Sequence, residues 1–350
     1  MCAGTEFPVL CAGLLVADLF VPPLQRLPAA GELVDTGRFL IDSGGCAANT
    51  ARCLARLGVA AAVAGTVGQD IFGDFVVRDM AAKGVRTDAI RRSERLGTSQ
   101  TVILPVTGED RRYIHTFGAN ADLRVEDIGL ALTLGTRVLY VGGYLALPGL
   151  DPAALAELLR EARARGVRNV LDVVVPAGVR SPDPAAYAAV LQYVDAFLPN
   201  DREAEAITGE REPARQAARL VQAGCGSAVV TCGARGAVLA NAREIVAVPA
   251  WPVQTVDPSG AGDAFAAGFI VGMLEGGDAE RCLALASAVG GSVCRCLGCT
   301  AGAFDRAETE AFLRAHPVGI QRMPLPGSRV PARPGGPRGR SGERACPRCR

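Results

Sequence analysis

The stretch Val256–Phe269, VDPSGAGDAFAAGF, decides how this chain is read. An apolar approach ends at Asp257, a Pro-Ser-Gly turn follows, and from Ala261 apolar residues recur at helical spacing through Phe265, Phe269 and Met273. Glycines therefore open a helix. Its first turn leaves backbone N–H groups without intrahelical partners and carries partial positive charge, so Gly260, Ala261 and Gly262 are placed to wrap donors around an anion. Asp263 lies in the same turn, where the helix end keeps a carboxylate ionised and ready to take a proton from a hydroxyl beside a bound phosphate. The pairing points to phosphoryl transfer; the alternative is a structural helix start with a capping Asp.

Size and composition narrow that choice. The 350 residues suffice for one large α/β domain, and 49% hydrophobic with 21% charged residues describes a soluble globular protein. A formal net charge of +1 offers no general attraction to nucleic acid or anionic membrane, so small-molecule partners are expected. Twelve cysteines scattered from Cys2 to Cys349 follow no small-domain framework and read as reduced thiols. The N-terminus lacks a basic leader and carries Glu6 and Asp18, and no run of about eighteen uncharged apolar residues occurs, so a cytoplasmic address is expected. Lys83 is the sole lysine and is followed by Gly84, which excludes a Walker-type G-x-x-x-x-G-K-[ST] loop. With only His115 and His316, a His-centred hydrolase or an H-E-x-x-H zinc enzyme is poorly supported. Phosphate must then be handled by backbone amides, arginine or metal.

Along the chain, Pro8 to Leu15 reads as a buried strand, with Asp18 beyond its end as a candidate polar contact or a turn cap. Glu32 to Ile41 reads as extended and leads to Asp42-Ser43-Gly44-Gly45, after which a helix from Cys46 to Leu57 ends at Gly58. Gly44 and Gly45 permit close backbone approach to a ligand, and Asn49 in the helix's first turns points to the same place. A strand over Ala61 to Val67 and a helix through Lys83 follow. Thr98 to Val106 and Arg111 to Phe117 form a hairpin through Thr107-Gly108-Glu109-Asp110, with Tyr113, His115 and Phe117 on one face, and this hairpin reads as a flap.

From Val138 strands and helices alternate: strands at Val138–Gly142, Arg168–Val175, Ala196–Leu198, Ala228–Thr231, Ala237–Ala240 and Ile245–Val248, helices after Asp151, over Ala185–Tyr193 and from Asn200 to Thr208. Helices over Asp278–Leu297 and Arg306–Arg314 close the fold. The alternation predicts an α/β fold, a doubly wound, mostly parallel sheet flanked by helices. Residues 1–320 are expected to form one domain, with a small β lid from about 18–42 and 98–117, and the Pro/Gly/Arg-rich 321–350 a disordered tail carrying Cys346 and Cys349.

Read together, these segments resemble the ribokinase-like, or PfkB-type, carbohydrate kinases from Pro8 to about Leu313. Asp257 to Asp263 matches that family's D-[TP]-[TS]-G-A-G-D signature, with Pro258 and Ser259 in place of the commoner threonines. Gly44, Gly45 and Asn49 match the N-terminal G-G and Asn block. Asn200 and Glu203 match N-x-x-E, and Thr231, Gly233 and Gly236 match T-x-G-x-x-G. The resemblance implies an ATP- and Mg²⁺-dependent kinase acting on a primary hydroxyl of a sugar or a nucleoside. Asp263 would be the base, Gly260, Ala261 and Gly262 the anion hole, and Asp18, Gly44, Gly45 and Asn49 the sugar contacts. Asn200, Glu203, Thr231, Gly233 and Gly236 would line ATP, with Glu203 reaching Mg²⁺ through water.

It further implies a monovalent cation, K⁺, beside Asp257, Ser259 and carbonyls around Val293 to Gly298, and a homodimer through the lid. Val16 stands where ribokinase carries Asn, which weakens the case for ribose. Cys294, Cys296 and Cys299, with no histidine nearby, are expected to pack instead of binding metal. A non-catalytic sugar or nucleotide sensor is the rival on the same fold, and a nicotinamide dehydrogenase is disfavoured because no G-x-G-x-x-G follows the first strand.

Overall fold

Runs of apolar residues bounded by turn formers become the strands of two sheets. The protein is represented by a computed structural model that describes residues 7–109, 111–133, 135–176, 184–317 and 319–323. The strands are β1 Val9–Gly13, β2 Val16–Phe20, β3 Leu40–Gly44, β4 Ala61–Gly68, β5 Arg86–Ser93, β6 Gln100–Leu104, β7 Arg112–Thr116, β8 Val138–Gly142, β9 Arg168–Leu171, β10 Ala196–Phe197, β11 Ser227–Thr231, β12 Ala237–Asn241, β13 Ile245–Val248 and β14 Gln321–Met323. The helices are α1 Cys46–Arg56, α2 Ile71–Ala82, α3 Val125–Ala131, α4 Pro152–Ala164, α5 Pro184–Leu191, α6 Asp201–Thr208, α7 Pro213–Gln222, α8 Ala261–Leu274, α9 Ala279–Val293 and α10 Arg306–Ala315.

The main sheet has the order β14-β13-β12-β11-β10-β9-β8-β1-β4-β5. From β11 through β5 every neighbouring pair is parallel, whereas β12, β13 and β14 add antiparallel strands at one edge. Strands β1 and β8 are buried at every position because helices cover both faces, which is why they read as unbroken apolar runs. Two cores result. One holds Leu54, Val63, Phe265 and Ile270, and the other holds Leu139, Leu155, Phe197 and Val230.

A smaller sheet of order β3-β2-β6-β7 stands apart from the main one. Strands β6 and β7 form the antiparallel hairpin expected from sequence, with Ile103 opposite Tyr113; its turn residue Asp110 lies outside the described residues. On β7, Arg112–Thr116 is exposed throughout, consistent with a strand on a lid.

Helix α8 is apolar all round and central. A Cβ on Gly268 would lie 2.7 Å from the Leu285 carbonyl oxygen, and one on Gly272 would lie 2.8 Å from Cys282 Cα. The two glycines therefore let α8 and α9 approach backbone to backbone. The propensity lost, about 1 kcal/mol per glycine, is offset by this packing.

Several elements differ from the sequence reading. Arg86–Ser93 is an edge strand that the sequence reading leaves unassigned, because its charged, half-buried residues follow no clean period-two pattern. Helices α3 and α7 are likewise not anticipated by the sequence pattern, and β9 is shorter than Arg168–Val175. Gln321–Met323, grouped with the tail in the sequence, pairs with Ile245–Ala247 as a strand. The remainder of that tail, with Cys346 and Cys349, lies outside the described residues. Among the described residues no helix is long and apolar enough to cross a membrane.

Candidate active site

Because the central strands are parallel, their carboxyl ends share one edge, where ligands gather in open α/β sheets. Asp172 follows β9 there, Asn200 follows β10, and Thr231 ends β11. The N-terminus of α8 reaches the same edge, since the Asn49 Nδ2 of α1 donates to Asp263 Oδ2 at 2.8 Å. The Thr50 hydroxyl donates to the Asp263 carbonyl at 3.2 Å. Asp263 is thus held by two side chains of one neighbouring helix.

The turn before Asp263 requires glycine. Gly260 has φ 74°, and a Cβ there would lie 2.1 Å from the Cys299 carbonyl oxygen. A Cβ on Gly262 would meet nothing within 4 Å, so that side of the turn is open. The Ala261 amide donates to the Pro258 carbonyl at 3.2 Å, while those of Gly262 and Asp263 have no acceptor among the described residues. Two of the helix's leading donors therefore remain for an anion.

The lid sheet brings a second carboxylate. Asp18 lies on β2 opposite Asp42 of β3 and is only 6% exposed. A Cβ on Gly44 would lie 1.7 Å from Asp18 Oδ2, so glycine at 44 makes room for this carboxylate. Gly45, with φ 91°, lets the chain pass the Leu14 carbonyl, which a Cβ would approach to 2.4 Å. Burial, with Asp42 and Asp263 nearby, pushes Asp18 up to about 6 against hydrogen bonds from Thr101 and Cys299. Asp42 is balanced by Arg52 at 3.0 Å and Lys83 at 2.9 Å, so the single lysine braces the lid base.

On the other flank, Asn200 and Glu203 form a reciprocal capping box at the start of α6: the Glu203 amide donates to Asn200 Oδ1 and the Asn200 amide to Glu203 Oε2, both at 2.9 Å. The N-x-x-E spacing thus builds a helix start as well as placing a carboxylate. Burial and the nearby Asp263 push Glu203 up to about 7 despite the bonds from Asn200. Asn200 bridges Thr231 in parallel register, and beyond Thr231 a single turn spans Gly233–Arg235. A Cβ on Gly233 would meet nothing within 4 Å; on Gly236 it would lie 2.0 Å from the Val248 carbonyl oxygen.

Three residues at this edge escaped the sequence reading. Asp172 accepts from the Tyr140 hydroxyl at 3.1 Å, and burial, with Glu203 and Asp263 beside it, holds its proton well above the usual carboxylate range. Ligand atoms of Cys46, Asp172 and Asp263 all lie within 4.8 Å of one another. Burial likewise raises Asp263, held back by hydrogen bonds from Asn49 and Cys46. The signals were present: Asp172 is the first charged residue after β9, and Cys46 directly follows the glycine pair.

The third is Arg111, at the foot of β7, for which sequence offered no signal. Its guanidinium forms an ion pair with Asp257 and donates to the Ser259 hydroxyl at 2.9 Å. Gly298 N–H also donates to Asp257, at 3.1 Å. His115 lies on the exposed strand β7, its Nδ1 3.0 Å from the Thr101 hydroxyl and its ring 4.6 Å from Phe117. Cys294 bonds the Gly290 carbonyl and Cys299 bonds Asp18, so these thiols diverge, in line with packing.

The arrangement brings several carboxylates and free helix-N-terminal amides together at the carboxyl edge of the sheet, beside a lid. A family model described as "pfkB family carbohydrate kinase" matches residues 8–305. Ribokinase of Mus musculus is 31% identical over 265 residues, covering 73% of this chain and 79% of the relative. Deoxyribokinase of Salmonella typhi is 29% identical over 270 residues, covering 74% and 83%. In fold, the chain is similar to Arabidopsis thaliana ribokinase complexed with ribose and ATP, with a TM-score of 0.73, 24% identity and coverage of 89% of this chain and 99% of the other. With that family model spanning most of its length, the chain belongs to the pfkB family and is a carbohydrate kinase.

Proposed function

We propose that the protein transfers the γ-phosphoryl group of ATP to a primary hydroxyl of a sugar or sugar-like compound, with Asp263 as general base. The observation that carries this reading is the position of Asp263 in the first turn of α8, next to the unpartnered amides of Gly262 and Asp263 itself and fixed by Asn49. A hydroxyl placed against Asp263 has its proton taken as its oxygen attacks phosphorus, while charge on the phosphoryl group in transit is met by the helix N-terminus and the bond to ADP breaks on the opposite side. Gly260, Ala261 and Gly262 shape that anion hole.

Asp18 and Asn49 are proposed to bind the acceptor, with Gly44 and Gly45 letting it approach the backbone. Asn49 Oδ1 is buried without a partner and so is available to a substrate hydroxyl. Asn200, Thr231, Gly233 and Gly236 are proposed to line the nucleotide. The hard oxygen donors Glu203 and Asp172 suit Mg²⁺, which when bound would neutralise charge on the phosphates. Burial first, and then the neighbouring acids, raise both Asp172 and Glu203, and a bound cation would offset that cost.

The test is an ADP-release screen of sugars, sugar acids and nucleosides with MgATP. Acceptor-dependent ADP supports the reading and identifies the class; ATP and sugar binding without ADP would replace it with a sensor. Ile114, Tyr113 and Leu40 are 63%, 53% and 42% exposed on the lid strands, which supports a homodimer through the lid. Sedimentation of the wild type against Ile114→Glu checks this, and an unchanged monomer in both removes it.

A further inference from the structure

The place expected to hold a monovalent cation is occupied by a side chain from the lid. Arg111 precedes β7, its side chain is 20% exposed, and it meets both Asp257, 3% exposed, and the Ser259 hydroxyl at 2.9 Å. The remaining capacity of Asp257 is also used: Oδ1 accepts the Ser259 amide at 3.0 Å and Oδ2 the Gly298 amide at 3.1 Å. Burial opposes ionisation of Asp257, but these bonds and the neighbouring guanidinium hold it below the usual carboxylate range.

Two carbonyls of the Val293–Gly298 stretch are engaged as well, that of Val293 by the Cys296 amide at 3.3 Å. The Cys294 oxygen accepts from the amides of Val256 at 2.8 Å and Asp257 at 3.2 Å. A second guanidinium, Arg295, donates to the Ser292 carbonyl at 3.0 Å and the Gly302 carbonyl at 3.2 Å, and lies 4.4 Å over the Phe304 ring. A K⁺ ion would have to displace N–H donors from these oxygens while facing a fixed positive charge. Asp257, the Ser259 hydroxyl and the Cys294 carbonyl, taken by these donors, therefore do not fit it.

We propose that Arg111 is the resident cation of this site, a positioning residue that ties the lid hairpin to the loop entering α8 and makes the enzyme independent of monovalent-cation activation. Asp257 and Ser259 lie just before Gly260, so the guanidinium fixes the turn whose amides face the phosphate. A guanidinium is suited to this task because it is permanently charged and its donors are rigidly arrayed. Since it travels with the lid, closing of the lid and ordering of the anion turn become one event.

The test compares wild type, Arg111→Ala and Arg111→Gln in KCl, NaCl and tetramethylammonium chloride at matched ionic strength, reading both the thermal midpoint and acceptor-dependent ADP release. Wild type is expected to show the same midpoint and kcat/KM in all three salts. The Ala variant is expected to lose about tenfold or more in kcat/KM, the scale of removing one partner of a half-buried ion pair. Added K⁺ or guanidinium ion should restore it, with a K⁺-specific rise in midpoint. Should the Ala variant fail to fold, the Gln variant, which keeps the polar stem, carries the same comparison. A K⁺-specific gain in midpoint or turnover for wild type overturns the proposal. So does an arginine variant indifferent to K⁺ and to guanidinium. The thermal arm needs no turnover, so it stands apart from any failure to identify the acceptor.

Discussion

Replacing Asp263 by Asn separates the chemistry of the site from its architecture. The carboxamide oxygen of the variant can still accept from Asn49 Nδ2, now at 2.8 Å from Asp263, so the contact between α1 and α8 is kept. The substitution also relieves repulsion. With ligand atoms of Asp172 and Asp263 within 4.8 Å, the two carboxylates, whenever both are ionised, would repel by at least about 3.5 kcal/mol at an effective dielectric of about 20. The metal-free variant should therefore melt at or above the wild-type temperature. Turnover should nonetheless fall by about 10² to 10⁴ fold, the usual range for a general base. That loss corresponds to about 3–5 kcal/mol on the barrier. The acid limb of the wild-type pH–rate profile should lose the share that Asp263 contributes, leaving those of Glu203 and Asp18. A base whose proton is held more tightly by burial is idle when protonated, so activity falls as pH drops through its raised pKa. Steady-state ADP release and thermal melts measure both quantities. Near wild-type turnover in a folded Asp263→Asn variant would refute the reasoning, and so would an acid limb superimposable on that of the wild type.

Three further outcomes follow from the same geometry. Gly44→Ala would place a Cβ 1.7 Å from Asp18 Oδ2 and push that carboxylate aside, so the acceptor KM should rise about tenfold or more while the ATP KM stays put; equal changes in both would remove Asp18 from the acceptor site. Gly260→Ala, at φ 74° and 2.1 Å from the Cys299 carbonyl oxygen, should destabilise the fold by about 1–3 kcal/mol and abolish most turnover, and a variant as stable and active as wild type would show that the turn does not need this conformation. Glu203, pushed up to about 7 from 4.5, holds its proton more tightly folded than unfolded, so its contribution to metal-free stability should decline as pH rises between those values. Glu203→Gln should lack that decline, and Mg²⁺ should raise the wild-type melting temperature more above that window than within it; a Gln variant with the wild-type slope would place the titration elsewhere.

Local patterns carried much of this protein into view. The D-P-S-G-A-G-D run was legible because glycines that admit positive φ, an acidic residue in the first turn and a following apolar helix leave little else for it to be. Asn200 and Glu203 were legible for a related reason, as their spacing is dictated by a helix start. Arg86–Ser93 was not, because an edge strand paired on one side tolerates charges that erase the alternation.

Sequence by itself therefore determined the parallel α/β alternation, the helix opening at Gly260 and the residues that stand at strand ends, since each depends on contacts within a few positions. Only the tertiary structure decided that Asp172, Cys46 and Asp263 converge, that Gly44 makes way for Asp18, and that Arg111 crosses from the lid to Asp257. Those pairings join residues separated by as many as 217 and 146 positions, the first the difference between residues 263 and 46. Proximity over such separations is set by how the sheets stack and the strands order. No local periodicity records it.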